Sequence, residues 1–482
     1  MPDYVDITSA EAVSWLDDSE QAMTDVVQLL KDMIKNQCEN DGSGTCREVA
    51  SINVLKSYLA KKGIPCEIHH RPDKPQRPNL VATYGTGSPR VMLGPSHVDV
   101  VPVSAESLRN WSSPPFEGET SSAGKVVGRG AIDMLNIVAT QVVTFARIAT
   151  SQKKIKGTLM FAAVSDEEAG GRDGVEYLLE QAPSEVMKAF AADYTLSEVG
   201  GAALPDRHQK PTNKFFQAVG EKGCGRITVS CSGRAAHASI PLQGDNALVR
   251  AAEVVKRIAA YEPPTNITPE WASFVKALDL PFFVKRLLCF SWTLRWMIPL
   301  LQKIGQPALA GVAHAASQLT LTPNHLTGTL SSNVIPGEAK VHVDVRSLPG
   351  QSEAYCLAQV RSALGRLARD TEHIKITMDH FSPGSVSNGD TPMWRAMQRA
   401  AGEIIDGAEL VPVILIGATD SRFYRRKGTT SYGAALFEPS VTFAQMMKYF
   451  HGDDEQVSLR SLWCTLQYYT LVIKYMMEEG GD

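Results

Sequence analysis

The chain has 482 residues, 44% of them hydrophobic and 21% charged, with a formal net charge of -4. At about 150 residues per domain this suits roughly two or three domains with sizeable cores. A slightly acidic balance without a dense run of Lys or Arg offers no field for nucleic acid, and that class of partner is set aside. The opening Met-Pro-Asp-Tyr-Val-Asp-Ile has no basic region followed by an apolar core, so no signal peptide is expected. Eight cysteines are scattered without a Cys-x-x-Cys pair. They read as free thiols of a reducing cytoplasm, not as a disulfide framework or a thiolate zinc site.

Apolar periodicity predicts helices over 9–34 and 45–62, the second stopped by Gly63, then strands over 66–69 and 79–84. His69 and His70 fall before a Pro-rich loop and read as surface histidines. The apolar run from Val91 predicts a buried strand, with His97 and Asp99 leaving its end on the same side. Such a pair either orients an imidazole for a metal or forms a structural hydrogen bond. Next, Gly128-Arg129-Gly130-Ala131-Ile132-Asp133 precedes an amphipathic helix reaching about 150, which places Asp133 at a helix start. A strand over 158–164 runs into Ser165-Asp166-Glu167-Glu168-Ala169-Gly170-Gly171, a helix passes through 175–179, and a strand over 194–196 leads to Glu198. His97, Asp133, Glu167 with Glu168, and Glu198 are thus expected at four successive strand ends. Strands alternating with helices indicate an α/β fold with a largely parallel, three-layer αβα sheet, whose ligands bind beyond the carboxyl ends of the strands.

From Phe215 the pattern changes. A strand over 227–231 leads through Gly233-Arg234-Ala235-Ala236-His237 to a helix over 246–260. After a long insertion come strand 326–330, a hairpin at Asn333 to Gly337, strand 339–346 ending in Arg346, helix 352–367 and strand 373–378. That order is the split βαβ, or ferredoxin-like, arrangement. The α/β pattern resumes near Pro383 with a strand over 410–416, the turn Gly417 to Arg422, a strand near Tyr432, and His451-Gly452-Asp453-Asp454-Glu455 before a terminal helix. The expected organisation is a catalytic domain in two parts, 1–214 and 383–482, around a lid or dimerisation domain at 215–382.

In this order the motifs Ser-His-Val-Asp-Val-Val-Pro, Gly-Arg-Gly-Ala-Ile-Asp-Met, Asp-Glu-Glu-Ala-Gly-Gly, Ser-Glu-Val-Gly-Gly, Gly-Arg-Ala-Ala-His, Ser-Asn-Val-Ile-Pro and His-Gly-Asp-Asp-Glu resemble a known family. It is the co-catalytic dizinc exopeptidase family of carboxypeptidase G, aminoacylase, acetylornithine deacetylase and succinyl-diaminopimelate desuccinylase. The likeness runs from about residue 45 to the last helix. It implies two Zn2+ per subunit, with Co2+ or Mn2+ as substitutes: Asp133 bridging, His97 and Glu198 on one ion, Glu168 and His451 on the other. Imidazole and carboxylate suit zinc, and a paired site needs a shared oxygen ligand. Asp99 would accept from His97, and a cis peptide would join Asp133 to Met134. Glu167 would take a proton from the attacking water and return it to the leaving nitrogen.

By the same resemblance His237 would steady the oxyanion, reaching into a partner subunit's site, and Asn333 and Arg346 would contact substrate. Arg346 has the planar fork that grips a free carboxylate. His208, His314, His325, His342, His373 and His380 match no motif and read as structural. The implied activity is hydrolysis of the amide bond of N-acyl amino acids or short peptides, releasing an amino acid with a free carboxylate, in a homodimer formed through the lid. A metallo-carboxypeptidase or dipeptidase is the alternative within enzymes, and a metal-free binding protein on the same fold the alternative outside them. All five ligand positions and Glu167 carry competent residues, which speaks against the last.

The insertion at about 265–320 lies outside the common pattern, but carboxypeptidase S and N-fatty-acyl amino acid hydrolases are similar in having an enlarged apolar lid. Lys285, Arg286, Arg295, Pro281 and Pro299 interrupt its apolar run, so it is not expected to span a bilayer. It reads either as lid core or dimer contact, or as an apolar wall near the cleft formed by Phe282, Phe283, Leu287, Leu288, Trp292 and Trp296.

Overall fold

The computed structural model describes residues 19–478 apart from 47, 152, 207, 209, 329 and 330. The beginning of the expected helix over 9–34, and the residues read for a signal peptide, lie outside these; what is described of that helix is Ser19–Lys35. The large sheet runs Glu67–His69, Asn79–Thr86, Gly157–Val164, Arg90–His97, Tyr194–Ser197, Thr430–Gly433, Pro211–Glu221, Ser385–Val386, with Gly200–Pro205 and Glu409–Leu415 also paired to Pro211–Glu221. Its centre, Gly157–Val164, Arg90–His97, Tyr194–Ser197 and Thr430–Gly433, is parallel. Antiparallel strands flank that centre, so the sheet is mixed.

Helices cover both faces, which is why the central strands are continuous apolar runs. Val91, Leu93, Leu159 and Phe161 pack with the helices Leu135–Thr150, Pro392–Ile404 and Leu459–Met477. Met92, Met160 and Ala162 point the other way, towards Leu178, Phe190, Phe423 and Tyr424. The helix expected through 175–179 is a π-helical turn at Tyr177–Gln181.

A second, four-stranded antiparallel sheet has the order Thr320–Thr327, Glu338–Ser347, Gly223–Ser232, Ile374–Ser382. Helices Ala247–Ala259 and Glu353–Leu364 bury Ile227, Val229, Val341 and Val343 on one face. The chain enters this layer at Lys222 and not at 215, because the apolar run Phe215 to Val219 is an interior strand of the large sheet, parallel to Glu409–Leu415. Val334–Ile335 pairs with Ala236–His237 instead of folding back on its own neighbour.

The insertion forms four helices, Pro269–Ala277, Phe282–Leu288, Ser291–Lys303 and Pro307–Ser317, around a small core of Trp271, Val275, Leu288, Leu294, Ile298, Leu301, Ala310 and Ala313. Among the described residues no helix is long and apolar enough to cross a membrane. All eight cysteines are free.

Candidate metal centre and its cavity

Three adjacent parallel strands deliver most of the cluster. His97 ends Arg90–His97, Glu198 follows Tyr194–Ser197, and Glu167 and Glu168 lie just beyond Gly157–Val164. Asp133 comes from the turn ahead of helix Leu135–Thr150 and not from a strand end; its peptide bond to Met134 is cis. His451 follows helix Phe443–Tyr449 with a φ of 58°. His97 Nε2 stands 3.3 Å from Asp133 Oδ1 and 3.6 Å from Glu198 Oε2. On the other side of Asp133, His451 Nε2 donates to Oδ2 at 2.8 Å and lies 3.5 Å from Glu168 Oε2. Donor atoms of His97, Asp133 and Glu168 fall within 4.8 Å of one another, as do those of His97, Glu167 and Glu198.

Buried polar contacts hold these groups. His97 Nδ1 donates to the main-chain carbonyl of Asp99 at 2.9 Å, whereas Asp99 Oδ1 is 3.6 Å away. Asp99 thus accepts from His97 through its main chain, while its carboxylate accepts from the backbone N–H of Glu167 and Glu168 and from Asn40, fixing the turn that carries both glutamates. Asp166 in that turn has a φ of 73° and is ion-paired with buried Arg77. Glu455 accepts from the N–H groups of Gly130, Ile132 and Asp133 and pairs with Arg129 at 2.8 Å. Arg129 in turn donates to the Gly452 carbonyl, which ties His451's loop to the Asp133 turn.

Crowding of carboxylates sets the electrostatics. Burial pushes Glu198 up to about 8, and burial together with the Glu198 charge raises Glu167 well above the usual carboxylate range. Glu168 is raised by burial and by Asp133. Burial opposes ionisation of Asp133 too, but its hydrogen bond with His451 and the nearby His97 imidazole outweigh it and hold the carboxyl low. The hydrogen bond to Asp133 lifts His451 to about 10. Even so, His97 Nε2, Asp133 Oδ1 and Glu168 Oε1 are buried without a hydrogen-bond partner. Each such atom costs about 1–3 kcal/mol unless something satisfies it. A pair of divalent cations would satisfy all three, and the imidazole and carboxylate donors suit them.

The cluster opens into a cavity of about 610 Å3. Arg346 and Arg422 line it with Glu167, Thr419 and Cys224. Leu204, Phe216, Val413, Phe443, Met447 and Phe450 add apolar lining, and the insertion contributes Trp271, Phe274, Val312 and Ala316. The six residues expected to form an apolar wall near the cleft are not in this lining. Leu288 is buried in the insertion's own core, while Phe282, Trp292 and Trp296 are 78%, 75% and 65% exposed. Their helices are the outer layer of the insertion; Pro269–Ala277 and Pro307–Ser317 are the inner one. His237 and Asn333 sit together on the Ala236–His237 ribbon, joined by the Ala238 N–H to the Asn333 carbonyl, and neither lines this chain's cavity.

Sequence reasoning missed Asp420, Arg422, Asn40 and Arg77. Burial pushes Asp420 up to about 7, and neither of its carboxylate oxygens has a hydrogen-bond partner. A Cβ on Gly171 would come 2.4 Å from Asp420 Oδ1, which with a φ of 72° explains the second glycine after the glutamates. Arg422 donates to the carbonyls of Thr419 and Gly170. An acidic residue in a glycine-containing turn after strand Glu409–Leu415 was a usable signal for this pair. Asn40 and Arg77 stand alone in loops and gave none.

Residues 95–475 match the model of peptidase family M20/M25/M40. The chain is 26% identical over 415 residues to a probable succinyl-diaminopimelate desuccinylase of Staphylococcus aureus, covering 86% of this chain and 89% of the other. It is 24% identical over 389 residues to an N-fatty-acyl-amino acid synthase/hydrolase of Xenopus tropicalis, covering 79% and 71%. In fold it is similar to an M20 family metallo-carboxypeptidase of Sulfolobus solfataricus, with a TM-score of 0.67, 16% identity, and coverage of 93% and 98%.

Proposed function

This chain belongs to peptidase family M20/M25/M40, whose members are metal-dependent hydrolases of amide bonds, and from that premise we propose that it cleaves N-acyl amino acids carrying a bulky apolar acyl group. The observation that carries this reading is the cavity, which joins carboxylates, the His451 imidazole and two guanidinium groups to a lining of aliphatic and aromatic side chains. One similar protein is named for hydrolysis of N-fatty-acyl amino acids, which supports the same substrate class.

In this reading His97, Asp133, Glu168, Glu198 and His451 would hold a pair of zinc ions, with Asp133 as the ligand shared between them. When bound, such ions supply Lewis acidity to the amide carbonyl and make water acidic enough to deprotonate near neutral pH. Glu167 is the ligand-free member of the glutamate pair. Its carboxylate takes the proton of the attacking water and delivers it to the departing amide nitrogen, and burial suits it to both steps by raising its proton affinity. Arg346, whose Nε rests on Asp344 at 2.9 Å, binds the amino acid carboxylate, and Arg422 steadies the turn behind Glu167. The second layer, entered at Lys222, acts as the lid. His237 and Asn333, outside their own chain's cavity, complete the site of a second copy in a lid-mediated dimer.

The test is a chain-length series of N-acyl amino acids run beside dipeptides. Each methylene buried against the apolar lining should raise kcat/KM about fourfold, the equivalent of about 0.8 kcal/mol. A profile that is flat or best with acetyl would remove the acyl reading. Dipeptides with large apolar side chains outperforming every acyl substrate would instead establish the dipeptidase or carboxypeptidase reading, which the same apolar lining favours.

A further inference from the structure

The insertion has a second face that the cavity does not use. Helices Phe282–Leu288 and Ser291–Lys303 sink Leu288, Leu294, Ile298 and Leu301 into the insertion core. To solvent they present Phe282, Phe283, Phe290, Trp292, Trp296 and Leu300. Trp292, Trp296 and Leu300 recur every four residues, so they form one stripe opposite Leu294, Ile298 and Leu301. Scattered exposed apolar residues are ordinary on a protein surface; an aromatic stripe on one helix beside further exposed phenylalanines on its neighbour is not.

Charge identifies what would cover it. The chain as a whole is acidic, yet no Asp or Glu occurs between Asp279 and Glu338. In that interval the two outer helices carry Lys285, Arg286, Arg295 and Lys303. Arg295 reaches Glu262 at 3.2 Å, and the Arg286 guanidinium lies 5.9 Å from the centre of the Phe290 ring. Exposed aromatic residues bordered by cations are the composition of helices that lie in the headgroup region of a membrane. A two-fold contact between copies of the chain would set the same cations against one another with no acid on these helices to meet them.

We infer that the outer face of the insertion docks on an anionic lipid bilayer, lying on the surface with its aromatic side chains at the acyl boundary and Lys285, Arg286 and Lys303 among the headgroups. Docking does not depend on what the cavity hydrolyses.

Flotation of the full chain with vesicles of phosphatidylcholine, and with the same vesicles containing phosphatidylserine, tests this without measuring catalysis. The protein should float with the anionic vesicles, and added salt should weaken that binding. Lys285→Gln with Arg286→Gln should lower partitioning roughly 25-fold, at about fivefold per cation removed. Trp292→Ser with Trp296→Ser should lower it by at least about tenfold. All four positions lie on the outer helices, clear of the cluster, so circular dichroism and the thermal transition should stay as in the parent. No flotation with either vesicle, or flotation indifferent to both double variants, overturns the proposal. So does a dimer in sedimentation velocity that Trp292→Ser with Trp296→Ser dissociates while vesicles stay unbound, since a second copy would then be the occupant.

Discussion

The cleft of the large sheet and the outer face of the inserted helices reverse the usual distribution of polarity in opposite directions. In the cleft, His97, Asp99, Asp133, Glu198, Asp420 and Glu455 are buried. On the insertion, Phe282, Phe283, Trp292 and Trp296 are exposed. Both arrangements cost stability unless something outside the chain answers them, a cation in one case and an apolar surface in the other. The difference lies in how each is held. Backbone donors, Arg77 and Arg129 fix the cleft from several sides, whereas the exposed stripe rests on one layer of helices. Buried charge therefore marks a preorganised centre, and exposed aromatic residues a surface awaiting contact.

The largest effect expected on the cleft side is that of Glu167→Ala, which should lower kcat by about 10²–10⁴-fold while about two metal ions stay bound. Glu168→Ala should lose metal as well as activity. Metal analysis beside steady-state kinetics separates the two, and exchanged phenotypes would reverse the assignment of base and ligand. Next comes Glu455→Ala. It leaves Arg129 buried without its carboxylate and frees three N–H groups of the Asp133 turn, so urea denaturation should show a loss of about 3–5 kcal/mol. A loss below about 1 kcal/mol would mean that the turn stands without it.

At the junction of the two regions Lys222 is buried, its Nζ donating to the carbonyls of Ala315 and Gln318 at the end of the insertion's last helix. Burial, with Arg346 nearby, pushes its amine down to about 7. An unfolded lysine titrates at about 10.4. Between pH values of about 7 and 10 the unfolded chain therefore holds the extra proton, and this residue makes stability rise with pH by up to about 1.4 kcal/mol per unit. Lys222→Met should flatten that part of the profile; an unchanged slope would show that the ammonium stays charged in the folded chain. The smallest effect belongs to the inner helices of the insertion. Phe274→Ala should reduce the gain per acyl methylene, about fourfold in the parent, while leaving metal content and acetyl hydrolysis alone. A slope that survives would move the acyl chain to the side chains of Phe443, Met447 and Phe450.

Much of the cleft could be read from the chain because its signals are short and local. Glu167 and Glu168 beyond an apolar strand, His97 closing another and Asp133 before a helix each declare themselves within about ten residues. What could not be read were the partners. Asp99 lies two residues from His97, and adjacency suggested a carboxylate for the imidazole; in the fold its backbone carbonyl serves that nitrogen while the carboxylate turns to the Glu167 and Glu168 amides. The strand Pro211–Glu221 was cut at 215 for a similar reason, since its neighbour Glu409–Leu415 arrives only after the whole second layer has been threaded.

By itself, then, the sequence determined the α/β alternation, the chemical type of each group in the cluster, and the presence of an apolar insertion, because periodicity and strand-end position are properties of neighbouring residues. Tertiary structure alone decided which way the insertion faces. Helix Ser291–Lys303 is apolar on two sides, Leu294, Ile298 and Leu301 on one and Trp292, Trp296 and Leu300 on the other. Periodicity reveals that there are two stripes, but only packing against Trp271 and the last inserted helix selects the one that goes inside.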